Sequence, residues 1–161
     1  RELFEEVVNV LDRWSFDPAH LVLELTESAV MSDPAFAMQI LKRLREMGLG
    51  LSIDDFGTGY SSLAYLKQLP VTEIKVDRSF VRDLAKDIGD QAIIRAVVAL
   101  AQDRQLTVVA EGVEDLATYN LLKELNCGMA QGYYVARPMP VHDYAKWLES
   151  SIWRPSRASN A

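Results

Sequence analysis

The chain has a single cysteine, Cys127, so no internal disulfide can staple it and stability must come from a packed core. Set among small residues, that thiol reads as a buried, reduced side chain suited to the cytoplasm. Lysine and arginine form no cluster and the net charge is −6, which argues against broad electrostatic binding to duplex nucleic acid. A phosphorylated small molecule can still bind an acidic protein when cations bridge the two. No apolar run approaches the roughly 20 residues of a membrane span. No glycine-rich phosphate fingerprint of the dinucleotide or P-loop kind follows a strand-like segment. The two histidines, His20 and His142, lack metal-ligating partners at useful spacing, which leaves them surface or capping roles.

What is present is an ordinary globular composition, 49% apolar and 25% charged over 161 residues, enough for one domain with a real core. Strand and helix patterns alternate along it. Leu3, Phe4, Val7, Val8 and Leu11 have helical spacing, which predicts a helix from Leu3 to Trp14. Asp33-Pro34 opens another, carried by Phe36, Ile40, Leu41 and Leu44 and stopped at Gly48. Three more helices are expected over Asp90–Gln105 (Ile93, Ile94, Val97, Val98 and Ala101 inward), Asp115–Leu125 and Val141–Leu148. Strands are expected at Leu21–Leu25, Leu49–Asp54, Glu73–Asp77, Leu106–Glu111 and Gly128–Gln131. Trp14 and Trp147 fall in helical patterns as packing residues, and the role of Trp153 is open. Residues 1–150 form the domain, and residues 151–161 are expected to be a disordered tail.

Repeated strand–helix units imply an α/β fold with a parallel sheet, either doubly wound or a (β/α) barrel. Side-chain parity favours the barrel. Leu21, Leu23 and Leu25 share a strand face, as do Leu49, Leu51 and Ile53, then Ile74 and Val76, then Val108 and Ala110. The opposite faces are smaller or polar and end in charge: Glu24, Asp54, Lys75 and Asp77, Glu111. Polar faces converging on one axis explain this pattern, and barrel chemistry sits at the C-terminal strand ends.

Glu24, Asp54, Asp55 and Glu111 would then lie near one rim, with Lys75 the cation among them. Four carboxylates at close quarters either take up protons or share a multivalent cation. Oxygen-rich sites of this kind suit Mg²⁺, Mn²⁺ or Ca²⁺. Two such ions about 4 Å apart hold a phosphate and activate water for in-line attack. The same acids could equally be solvated loop residues or helix caps, and parity alone leaves both readings open.

Glu24-Leu25-Thr26-Glu27, Ile53-Asp54-Asp55-Phe56-Gly57-Thr58-Gly59-Tyr60-Ser61-Ser62-Leu63, Ile74-Lys75-Val76-Asp77, Ala110-Glu111-Gly112-Val113-Glu114 and Ala130-Gln131-Gly132-Tyr133 closely resemble the motifs of the EAL domain of bacterial cyclic-di-GMP phosphodiesterases. The five occur in family order over nearly the whole chain to about Leu148. The resemblance implies a TIM-like barrel that binds cyclic-di-GMP and hydrolyses it to linear 5′-pGpG, using two Mg²⁺ or Mn²⁺ ions and inhibited by Ca²⁺. It implies Glu24 on the first metal, Asp54 bridging both, and Asp55 on the second with Glu111 near it. Lys75 would orient the attacking water or help take up its proton, with Gln131 supporting the metal or water shell. Phe56, Gly57, Thr58, Gly59, Tyr60, Ser61 and Ser62 would belong to a mobile loop anchored by Glu27. That loop region would also mediate a homodimer.

The family pattern begins with a Glu-Ala-Leu segment and a strand ending in a metal-binding Asn, and neither occurs here. About five of a closed barrel's eight strands are therefore expected, a partial barrel whose remainder comes from a missing segment or another chain. Alone, this fragment would be nearly inactive. The alternative function is a non-catalytic cyclic-di-GMP receptor or protein-interaction module. The expected location is the cytoplasm, as a free protein or as the cytoplasmic part of a membrane-anchored sensor.

Overall fold

The computed structural model describes residues 2–57 and 68–153. Within them lie five strands: β1 (Val22–Thr26), β2 (Gly50–Phe56), β3 (Glu73–Val76), β4 (Thr107–Glu111) and β5 (Met129–Gln131). All pair in parallel, in the order β1-β2-β3-β4-β5. A doubly wound sheet reverses its order partway, whereas a (β/α) barrel sets each strand beside the next. The strictly sequential order decides for five neighbouring strands of a TIM-like barrel.

The helices among the described residues are α1 (Glu2–Trp14), α2 (Glu27–Ser32), α3 (Pro34–Glu46), α4 (Arg78–Val81), α5 (Ile88–Asp103), α6 (Leu116–Glu124) and α7 (Val141–Ser150). Local chemistry sets their starts. Asp33 accepts a hydrogen bond from the Phe36 N–H at 3.1 Å, with Pro34 in the first turn of α3. Asp87 caps α5 through the Gly89 and Asp90 N–H groups, so this helix begins earlier than its apolar spacing predicts. Two short helices, α2 and α4, are absent from the periodicity because neither is long enough to show one. Thr26 both ends β1 and caps α2, its hydroxyl accepting from the Ala29 N–H at 3.3 Å.

The apolar strand faces lie under the helices as parity requires. Leu51, Ile53, Ile74, Val76, Val108 and Ala110 are buried against Leu44, Ile94, Val97, Val98 and Leu122. Two expectations fail here. The inward stripe of α5 is Ile94, Val97, Val98 and Ala101, and Ile93 falls one position outside it, 39% exposed. Trp14, expected to pack, is 72% exposed at the end of α1. The anchor of α1 is instead Leu11, together with the Arg43 guanidinium of α3 lying 3.7 Å from the centre of the Phe4 ring.

Cys127 is half-buried, its thiol directed at the Val108 and Met129 carbonyls. Trp153 packs edge-on against Tyr119 and Tyr134. Residues 154–161 lie outside the described residues. At the sheet's two outer strands, Val22 of β1 and Met129 of β5 are exposed, as an incomplete barrel requires.

Candidate active site

The two adjacent aspartates reach the same side of β2 through a bulge. Ile53 pairs with Ile74 and Phe56 with Val76, so β2 carries one residue more than β3 across this interval. Asp55 adopts φ 54°, outside the strand region. On a regular strand Asp54 and Asp55 would face opposite ways. The extra residue re-aims them. One carboxylate oxygen from each of Asp54, Asp55 and Glu111 lies within 4.8 Å of the other two.

Lys75 sits beneath this triad, 5% exposed. Its Nζ is 2.8 Å from Glu111 Oε1, 2.9 Å from Glu24 Oε2 and 3.3 Å from Asp54 Oδ1. Burial alone would lower the pKa of this ammonium. Hydrogen bonds to Glu111 and Glu24, with the pull of the Glu111 and Asp54 charges, outweigh burial and raise it well above the ordinary lysine value. To reach Glu24, the side chain crosses the face of β2, where Glu24 is paired in register with the small, fully buried Ser52.

The sequence-derived residues separate into groups. Asp54, Asp55 and Glu111 form the triad, while Glu24 lies outside it, joined to it through Lys75. Gln131 is the register partner of Glu111 on β5 and lines the same cleft. Glu27 is 5% exposed at the start of α2, and its Oε2 has no hydrogen-bond partner among the described residues. Phe56 is buried in the core, and Gly57 turns with φ 99° against the Phe80 ring. Thr58, Gly59, Tyr60, Ser61 and Ser62 lie outside the described residues.

The triad opens into a cleft of about 370 Å³ lined by Asp55, Asp77, Arg78, Glu111, Gly112, Glu114, Gln131, Gly132 and Tyr133. Asp77, expected at the charged end of its strand, caps α4, accepting from the Ser79 N–H at 2.9 Å. Hydrogen bonding from Ser79 holds its carboxyl below the usual range. Sequence reasoning missed that Asp77, Arg78, Glu114 and Tyr133 also border the cleft. Their position directly after strand ends was the available signal.

The donor set suits a divalent cation. Asp54 Oδ1 is buried and, though 3.3 Å from the ammonium, has no hydrogen-bond partner among the described residues. An acceptor-only oxygen left so, beside two further carboxylates, is what a hard cation takes as ligand.

Sequential parallel strands with an acidic cluster at their C-terminal ends define a (β/α)-barrel protein whose clustered carboxylates are of the kind a divalent cation takes as ligands. Residues 1–138 match the model of the EAL domain, and the chain belongs to that family. It is 51% identical over 138 residues to the bifunctional diguanylate cyclase/cyclic di-GMP phosphodiesterase MucR of Pseudomonas aeruginosa, covering 86% of this chain and 20% of that protein. It is 45% identical over 148 residues to the cyclic di-GMP phosphodiesterase NbdA of the same species, covering 92% and 19%. The chain thus spans about a fifth of the length of these relatives. The solved PaMucR phosphodiesterase in complex with c-di-GMP superimposes with a TM-score of 0.84 at 50% identity, covering 88% of this chain and 57% of that one. Klebsiella pneumoniae BlrP1, in a manganese/cy-diGMP complex, gives 0.78 at 36% identity, with 83% and 34% covered.

Proposed function

We propose that this chain is part of a phosphodiesterase that opens cyclic-di-GMP to linear 5′-pGpG. The observation that carries this reading is the convergence of Asp54, Asp55 and Glu111 oxygens within 4.8 Å at the strand ends, beside the Lys75 ammonium. Relatives solved with cyclic-di-GMP, one also with manganese, support the substrate and cation class.

In this reading Asp54, Asp55 and Glu111 would hold two Mg²⁺ or Mn²⁺ ions, with Glu24 an additional ligand. When bound, the ions neutralise phosphate charge and make water a better nucleophile, and Ca²⁺ competes without supporting turnover. A water oxygen bonds to phosphorus as the bond to the 3′-oxygen breaks, which leaves the phosphate on the 5′ side. Lys75, kept protonated by its carboxylates, acts as a hydrogen-bond donor that orients water and balances charge. Gln131 supports the water shell beside Glu111. Glu27, whose buried Oε2 has no hydrogen-bond partner among the described residues, anchors the segment that follows β2, and the region of that segment joins two copies into a dimer. The location is cytoplasmic, free or attached to a membrane sensor; among the described residues no helix is long and apolar enough to cross a membrane.

The test is cyclic-di-GMP turnover by the full-length protein with Mg²⁺ or Mn²⁺. Glu111→Ala should lower kcat by about 100-fold or more. Binding without turnover would move the assignment to a receptor, and turnover indifferent to Glu111→Ala would overturn the site.

A further inference from the structure

The cleft lining holds four carboxylates, Asp55, Asp77, Glu111 and Glu114, and one cation, Arg78. A second cleft of about 360 Å³ shares Arg78, Gly112 and Glu114 with the first and continues past Ser79 and Arg82. Arg78 therefore lines two neighbouring clefts.

Its stem is held while its head is not. Gly112, at φ 71°, packs so closely on Arg78 that a Cβ there would fall 2.6 Å from the Arg78 Cβ. Asp77 caps the N-terminal turn that begins with Arg78. The residue is nonetheless exposed, and its guanidinium makes no ion pair with another described residue. By contrast, Lys75 is fully committed to three carboxylates, and Arg82 is hydrogen-bonded to Asp83.

A cyclic dinucleotide carries two phosphodiesters. The triad accounts for one. The other would lie against a cleft lined by four carboxylates in which Arg78 is the one cation of the lining, and a guanidinium fork fits two phosphate oxygens. We propose that Arg78 is the positioning residue for the second, non-reacting phosphate of the cyclic dinucleotide, reaching it from the lining that the two clefts share. This rests on the phosphodiesterase reading above and adds to it the means by which a two-phosphate substrate is told from a one-phosphate diester.

The experiment compares wild type, Arg78→Ala, Arg78→Lys and Arg95→Ala in the full-length protein with Mn²⁺. Arg95 is an exposed arginine of α5 outside the cleft lining, so its loss controls for net charge. Two readouts are taken: binding and turnover of cyclic-di-GMP, and turnover of bis(p-nitrophenyl) phosphate, which has a single phosphate. Arg78→Ala should raise Kd and KM for cyclic-di-GMP about tenfold or more, with kcat within about threefold. Turnover of the one-phosphate diester should stay within about twofold. Arg78→Lys should recover part of the binding, because charge remains but the fork is lost. Equal losses on both substrates would mark Arg78 as structural and overturn the proposal. So would an unchanged Kd, or an Arg95→Ala effect equal to that of Arg78→Ala. A wild type that neither binds nor turns over cyclic-di-GMP overturns the phosphodiesterase reading together with this one. An active wild type with an indifferent Arg78→Ala overturns this one alone.

Discussion

Gly132 lies against the backbone of Val113 so closely that a Cβ on it would fall 2.2 Å from the Val113 carbonyl oxygen and 2.4 Å from its nitrogen. On either side of that contact, the Val113 N–H donates to the Gln131 carbonyl at 3.1 Å and the Tyr134 N–H to the Val113 carbonyl at 2.9 Å. The obstacle to a side chain is backbone, which cannot rotate away. Gly132→Ala should therefore cost about 2–4 kcal/mol in urea unfolding. It should also impair turnover by moving Gln131, the register partner of Glu111. A variant as stable as wild type would contradict this packing.

Lys75→Met removes the charge that three carboxylates share. In metal-free buffer the variant should lose about 2 kcal/mol, since truncating the shared cation leaves three partly buried acids uncompensated. The figure is set low because Glu24, Asp54 and Glu111 are partly solvated. Adding Mg²⁺ should narrow the gap to wild type, because the cation supplies the missing charge. Paired thermal melts in EDTA and in Mg²⁺ measure both effects.

Asp115 caps α6 by accepting from the Thr118 N–H at 2.8 Å, and this hydrogen bond holds its carboxyl below the ordinary value of 3.8. A depressed folded-state pKa contributes stability above the unfolded value, lost as pH falls through the folded one. Asp115→Ala should cost about 1 kcal/mol near neutral pH. The difference from wild type should be constant above about pH 5 and shrink on further acidification. Denaturation midpoints across pH 2–7 check this; a gap that widens in acid would refute the capping account.

Burial pushes the Cys127 thiol up from its ordinary value, against the smaller effect of backbone hydrogen bonds. Its thiolate fraction at pH 8 should be below that of a free cysteine, so reaction with a disulfide reagent should be slow in the native protein. Denaturant should restore the free-thiol rate. Equally fast labelling in both states would show that the 108–129 region opens readily.

Much of the site could be read from strand parity, because Glu24, Lys75 and Glu111 sit on regular strands where alternation holds. Asp55 could not be placed that way. Its inclusion in the triad depends on the bulge between Ile53 and Phe56, a backbone event that no alternation pattern encodes. Parity put Asp77 on the polar face without drawing it into the site, and it missed Arg78, Glu114 and Tyr133, which follow strand ends rather than lie within them. Helix periodicity recovered α1, α3, α5, α6 and α7, and overlooked α2 and α4, which are six and four residues long. Ile93 and Trp14 show its remaining weakness: an apolar residue one step off the stripe, or at a helix end, has no core to enter.

The triad draws Asp54 and Asp55 from β2 and Glu111 from β4, two strands that touch only through β3. A slip of one residue in either intervening pairing would exchange a carboxylate for an apolar neighbour and destroy the cluster. Cation affinity at this cluster would therefore be a proofreading signal for the sheet: a tightly bound ion would require β2, β3 and β4 to be aligned correctly, whatever else remained unfolded.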